Sequence, residues 1–301
     1  MSNSQPAPNL ESTLKSLDTE EFIDIYFYRP IGYWWALLFR KLGVHPNSVT
    51  IASIFIGIAS GVCFYFRDTQ INIIGILLLI WANSYDSADG QLARMTGQKS
   101  DLGRILDGTA GDIWFIAIYA AICLRLTPTW GIWIWLLGAM TGFFHSKQAA
   151  MADYYRNIHL LFLKGKSGSE LSHSPQLKEK FKQMSWKKQF IYKLFEAFYI
   201  NYTEGQESLS PNFQRMIGII REKYDGQAPE WFRVEFRKQS LPLMKYTNML
   251  SFNTRVIVLF ISILVDLPWV YFTFEMTVLN LMLLYMVKRH ERICKDFSEK
   301  L

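Results

Sequence analysis

The chain has 301 residues, half of them apolar and 16% aromatic, with 32 Lys and Arg against 26 Asp and Glu and a formal net charge of +6. Mean hydropathy is nevertheless near zero, so the apolar residues are gathered in blocks, as in an integral membrane protein. Three cysteines far apart in sequence, Cys63, Cys123 and Cys294, exclude a disulfide framework or a zinc spacing, and basic residues clustered beside the apolar blocks suit anionic lipid headgroups rather than nucleic acid.

Residues 1–18 are polar, rich in Ser and Pro, and lack the apolar core of a signal peptide, which predicts a flexible tail. Residues 19–42 then alternate charge with Phe22, Ile23, Tyr26, Phe27, Trp34, Trp35, Leu37, Leu38 and Phe39. That pattern fits a juxtamembrane helix lying in the headgroup layer, or an ordinary packing helix. Apolar runs follow at 48–66, 71–85, 105–124, 130–146, 254–266 and 268–288, the last two divided by a tight turn at Asp266-Leu267-Pro268. A span needs roughly 20 residues, so six transmembrane helices are expected.

Between the fourth and fifth runs, residues 157–250 are too polar for a bilayer and too rich in Trp, Phe, Tyr and Leu for disorder, which predicts a helical cytoplasmic insert. Within it Trp186, Phe190, Ile191, Leu194, Phe195 and Phe198 recur at helical spacing beside Lys187, Lys188 and Lys193. A membrane-surface helix has this form, as does a helix packed on its own neighbours. The expected fold is thus all-α and integral to the membrane. Its segments are the tail 1–18, four spans within 19–156, the insert 157–250, and two further spans within 251–301.

Lys and Arg in the short loops set the orientation. Arg94, Lys99 and Arg104 follow the second run, Lys147, Arg156, Lys164 and Lys166 the fourth, and Lys288, Arg289, Arg292 and Lys295 the sixth, against only Arg67 and Arg125 on the other side. Both termini are therefore expected to face the cytoplasm.

The densest chemistry is Asp86-x2-Asp89-Gly90-x2-Ala93-Arg94-x8-Gly103-x3-Asp107, at the inner end of the second run and the start of the third. On a helix, positions 86, 89, 90, 93 and 94 share one face. Carboxylates at a membrane boundary are costly and need a reason. Three oxygen donors converging from two helices suit a hard divalent cation such as magnesium, whose remaining ligands are water and substrate phosphate; a polar network locking the two helices together is the plainer alternative. A transporter would place its acids near the bilayer midplane on broken helices, whereas these lie at the ends of their runs.

This string resembles the signature of the CDP-alcohol phosphotransferase family, D-x2-D-G-x2-A-R-x8-G-x3-D-x3-D, at every fixed position except the last. The final Asp should fall at 111, where Gly111 stands with Asp112 after it. Upstream, Pro46-Asn47-Ser48-Val49-Thr50 resembles the family's P-N-x-x-T, although Asn47 is also an ordinary helix N-cap. The resemblance covers residues 45–112; the long insert has no counterpart in it.

The resemblance implies that Asp86, Asp89 and Asp107 bind Mg2+, or Mn2+, and that Gly90 and Ala93 leave room for cytidine and diphosphate. Arg94 would pair with phosphate or with the acids, and Asn47 and Thr50 would touch the nucleotide. Ser100, close before Gly103, sits where phosphatidylinositol-phosphate-synthase-like members place a donor-binding hydroxyl. In the family the last acid serves as base and metal ligand beside the acid at 107. A straight helix would turn Asp112 away, but Gly108, Thr109 and Gly111 weaken the helix, so a π-type insertion returning Asp112 to the site is expected.

The implied reaction is transfer of a phosphatidyl group from CDP-diacylglycerol, or a related CDP-alcohol, to a hydroxyl of a small polar acceptor, with CMP released in a membrane-embedded homodimer. Inositol phosphate or inositol is the expected acceptor, with glycerol 3-phosphate and serine as alternatives. A relative that binds CDP-lipid without turnover also fits Gly111. Arg104, His145, Lys147, Arg156 and Arg255 are candidate acceptor contacts, and equally topology-setting charges or, for His145, a group satisfied within the bundle.

Overall fold

A computed structural model describes residues 16–165, 168–187 and 189–301. Most of the expected tail 1–18, together with Lys166, Lys188 and the side chains of Arg104 and Ile191, lies outside the described residues. The described chain is helical throughout, with no strand. A π-helical turn, Asp24–Tyr28, leads into α1 (Arg29–Leu42), followed by α2 (Pro46–Tyr65), α3 (Thr69–Thr96), α4 (Asp101–Trp130) and α5 (Trp133–Lys164). Then come α6 (Ser174–Gln183), α7 (Phe190–Ser208), α8 (Pro211–Tyr224), α9 (Glu230–Met249), α10 (Phe252–Leu264), α11 (Pro268–Phe274), a π-helical segment Glu275–Leu279, and α12 (Asn280–Lys300).

Capping chemistry sets the boundaries. Gly43 and Gly97 close α1 and α3 at φ of 68° and 69°, a left-handed conformation that a Cβ would strain. Asp68 caps α3 by accepting from the amides of Gln70 and Ile71 at 2.9 and 3.0 Å. The cap of α2 is His45 rather than Asn47: Pro46 occupies the first helical position, and His45 Nδ1 accepts from the Asn47 amide at 3.2 Å. The Asn47 side chain is thereby left for other work.

Five described helical stretches are long and apolar enough to cross a membrane: Pro46–Tyr65, Thr69–Thr96, Ile105–Trp130, Glu230–Leu264 and Pro268–Lys300. The expected run 130–146 falls in α5, where Thr141, His145, Lys147 and Gln148 dilute the apolar content, so six spans by this criterion become five. Apolar side chains on the outer faces of α2 and α3, among them Phe55, Val62, Ile74, Leu77 and Trp81, are exposed. In a bilayer lipid covers such a surface, while every backbone group stays paired within its helix.

The chain divides into two compact units, Met1–Phe144 with Arg255–Met276, and His145–Thr254 with Thr277–Leu301. The second unit holds residues 157–250 together with the preceding part of α5 and with α12.

In the first unit α2 packs between α3 and α4 through small residues. A Cβ on Gly57 would strike the Trp114 ring, and one on Gly61 would come within 2.9 Å of the Ala117 backbone. Ser60 Oγ donates to the Gly75 carbonyl at 2.7 Å, a helix-to-helix bond of the kind that replaces hydrophobic drive inside lipid. At the far end Arg125 donates to the Phe64 carbonyl at 3.0 Å and to Asp266 Oδ1 at 2.6 Å, beside Trp130 and Trp269, whose rings lie 6.0 Å apart. Deeper in the unit Arg255 and Glu275 form a fully buried ion pair, and the Tyr271 hydroxyl donates to Glu275 at 2.6 Å.

The second unit is held by an aromatic cluster in which Phe236 lies 4.6 Å from Phe162 and Phe232 lies 4.9 Å from Phe297. Glu291 accepts from the amides of Asn212 and Phe213 at 2.7 and 3.4 Å and so caps the start of α8. Trp186, Phe190, Leu194 and Phe198 stay exposed, which leaves the membrane-surface reading of α7 standing. Lys193 instead turns inward, 4.5 Å from the Phe181 ring centre.

Candidate active site

The site forms where the inner end of α3 meets the start of α4. Asp86 and Asp89 stand one turn apart on α3 and Asp107 comes from α4. One carboxylate oxygen of each lies within 4.8 Å of the others. Asp89 is 3% exposed, Asp86 half-buried and Asp107 exposed, so the group opens on one side.

Thr50 of α2 donates its hydroxyl to Asp89 Oδ2. The threonine of the P-N-x-x-T segment thus fixes one acid of the cluster. Asp86 Oδ1 is buried and has no hydrogen-bond partner. A buried carboxylate oxygen without a donor is costly, and with two further carboxylates beside it a cation would supply the missing partner. The donors are all carboxylate oxygens, which fits a hard divalent ion such as magnesium.

A second corner lies beside the acids. Ser100 caps α4 by accepting from the Gly103 amide at 2.9 Å, and its hydroxyl is 3.4 Å from the Asn47 side chain. Gly103 lets these side chains approach, since a Cβ would lie 2.6 Å from Asn47 Oδ1 and 3.0 Å from Ser100 Oγ and would force one of them to shift. Asn47, Ser100 and Gly103, 53 residues apart across the first pair, therefore meet as one polar corner. The exposed Arg94 guanidinium lies over Gly90, its Nη1 3.5 Å from where a Cβ would stand, and Ala93 is on the same helix face. A Cβ on Gly108 or Gly111 would meet open space.

The expected insertion in α4 is absent. Asp101–Trp130 is α-helical without interruption, and the π turns of the described chain are at Asp24–Tyr28 and Glu275–Leu279. At about 100° per residue, position 111 lies ~40° round the helix from Asp107 and position 112 ~140°. Asp112 accordingly falls outside the acid group, because Gly108 and Gly111 weaken the helix too little to break it. The site contains three acids.

Of the candidate acceptor contacts, Arg255 is bound to Glu275 in the first unit. Arg156, in the second unit, donates to Asn248 at 2.9 Å and to Ser251. Both have structural partners, and His145 is buried. Arg29, the first residue of α1, and its partner Glu20, which no motif singles out, meet next to Gln91 of the motif helix; their only sequence signal is charge within an aromatic stretch.

Residues 43–159 match the family model described as CDP-alcohol phosphatidyltransferase. Over this stretch the chain is similar to CDP-alcohol phosphatidyltransferases. The matched range holds every residue of the acid cluster and the polar corner, and it ends within α5. The chain is also similar to archaetidylinositol phosphate synthase of Pyrococcus horikoshii, 35% identical over 92 residues, which is 31% of this chain and 47% of that protein. The chain thus spans about half the length of this curated relative, and α6 to α12 lie beyond the family match.

Proposed function

We propose that the protein makes a phospholipid by transferring a substituted phosphate group from a CDP-linked lipid to a hydroxyl of a small polar acceptor, releasing CMP. The observation that carries this reading is the trio Asp86, Asp89 and Asp107 with the orphaned Asp86 oxygen, inside the stretch similar to the phosphatidyltransferase family. A divalent cation held by these three acids supplies neutralisation of the diphosphate, whose charge must be stabilised as CMP leaves. Thr50 holds Asp89 in place. Arg94 offers a guanidinium to phosphate oxygens. The Asn47 and Ser100 side chains offer polar groups to the nucleotide, Gly90 and Ala93 leave room for it, and Asp107, the exposed acid, takes the proton of the attacking hydroxyl.

CDP-diacylglycerol is the proposed donor. Inositol phosphate is the proposed acceptor, supported by the name of the Pyrococcus relative, with inositol, glycerol 3-phosphate and serine as its rivals. The protein is proposed to work as a homodimer with this site on the cytoplasmic face, and α1 to lie in the headgroup layer with the exposed Phe22, Tyr26 and Trp34.

The test is CMP release by purified protein with magnesium and CDP-diacylglycerol, offering each acceptor separately. Release stimulated by inositol phosphate and abolished by Asp86→Asn supports the reading. No release with any acceptor would support instead a protein that binds CDP-lipid without turnover, which Gly111 in place of the family's last acid favours.

A further inference from the structure

The first turn of α1 is pressed onto α3 beside the acids. Gln91 Nε2 donates to the Arg29 carbonyl at 3.1 Å. Gly32 lies so close that a Cβ would stand 2.8 Å from Ser87 Oγ and 2.9 Å from Gln91 Nε2. Ser87 and Gln91 flank Asp86 and Gly90 in the motif, so this contact fixes Arg29 at the edge of the site.

The Arg29 guanidinium is held as a fork. Its Nη2 lies 2.9 and 3.2 Å from the two carboxylate oxygens of Glu20, and its Nε lies 3.3 Å from one of them. The other end of the group, Nη1, has no partner among the described residues. The Arg29 side chain is 19% exposed and that of Glu20 7%, so the fork is largely withdrawn from water.

Arg29, held against Gln91, and Arg94, over Gly90, bring two guanidinium groups to the same end of α3, and an anion lying between them would relieve their repulsion. A diphosphate is such an anion, and its oxygens match the open donors of Nη1. We propose that Arg29 is a substrate-positioning residue whose free Nη1 end binds the diphosphate of the CDP-linked donor opposite Arg94, with Glu20 orienting the fork. The start of α1, with Glu20 ahead of it, then forms one wall of the donor site as well as lying beside the membrane. This assignment rests on the CDP-lipid reading given above.

The test compares binding of CDP and of cytidine, which lacks phosphate, to the full-length protein in detergent with magnesium, for wild type, Arg29→Gln and Arg29→Lys, alongside CMP release. Losing a charge-assisted bond to phosphate weakens CDP binding by about tenfold or more. Arg29→Gln is expected to show that loss while cytidine binding is held within about twofold, and Arg29→Lys, which keeps the charge without the fork, to fall between. Equal weakening of both ligands, or of neither, overturns the assignment, because an ion pair that only ties down the segment cannot tell a nucleotide from its nucleoside. Should wild type bind CDP but release no CMP, the transferase reading fails while the CDP-to-cytidine comparison still decides the role of Arg29. If wild type binds no CDP, both fall.

Discussion

Neutralising Asp86 separates the metal-site reading from a purely structural polar network. Carboxylate oxygens 4.8 Å apart, the outer limit of the group, repel by about 3.5 kcal/mol at an effective dielectric of about 20. The share from the exposed Asp107 is cut by solvent, and the nearby Arg29 offsets part of the rest. Asp86→Asn should therefore stabilise the metal-free protein by about 1 to 3 kcal/mol, at about 2 to 4 °C per kcal/mol for a sizeable domain. Saturating magnesium should do the same for wild type, since a ligand at a hundredfold its Kd adds about 2.7 kcal/mol. The assay is thermal unfolding in detergent, in EDTA and in magnesium, for both proteins. The variant should melt higher than wild type in EDTA, and magnesium should raise wild type while barely moving the variant. A variant that melts lower in EDTA, with magnesium acting equally on both, would refute the argument: Asp86 would then be a hydrogen-bonding strut between helices.

Gly103→Ala drives a Cβ to 2.6 Å from Asn47 Oδ1; the overpacking should cost about 1 to 3 kcal/mol and raise the KM for CDP-lipid as Asn47 is displaced, read from melting curves and CMP release. Asp112→Ala should keep most of the CMP release and Asp107→Ala lose it, since the unbroken α4 leaves only Asp107 with the other acids; equal loss in both would restore a role for Asp112. Glu275→Gln strands the buried Arg255 without its counter-charge and should destabilise the protein by about 3 to 5 kcal/mol, whereas replacing both residues by apolar ones of similar size should recover most of the loss, as a double-mutant comparison in detergent would show.

Much of the first unit was legible because its determinants are local. Apolar runs of membrane length and the glycines that close α1 and α3 act over one or two turns of chain. The 86-89-90-93-94 spacing puts two acids on one helix face whatever the rest of the fold does. The small-residue positions at Gly57, Gly61 and Gly75 could be counted, but their partners, Trp114, Ala117 and Phe64, are set by helix packing.

Where residues distant in sequence compete for the same partner, the sequence was silent or pointed elsewhere. Thr50 turns to Asp89 because α2 packs beside the acids, and Arg255 is bound by Glu275 within the bundle. The π insertion expected in α4 did not form, because weak helix propensity at Gly108 and Gly111 is overridden by the packing of the helix they belong to. Glu20 and Arg29 meet beside the motif only once the start of α1 lies on α3. The sequence by itself determined the apolar helices and the triad of acids, since helical periodicity and side-chain chemistry are properties of a single stretch of chain. Only the tertiary structure decided which charges remain open to a ligand and which are bound internally, because that depends on which helix faces are brought together.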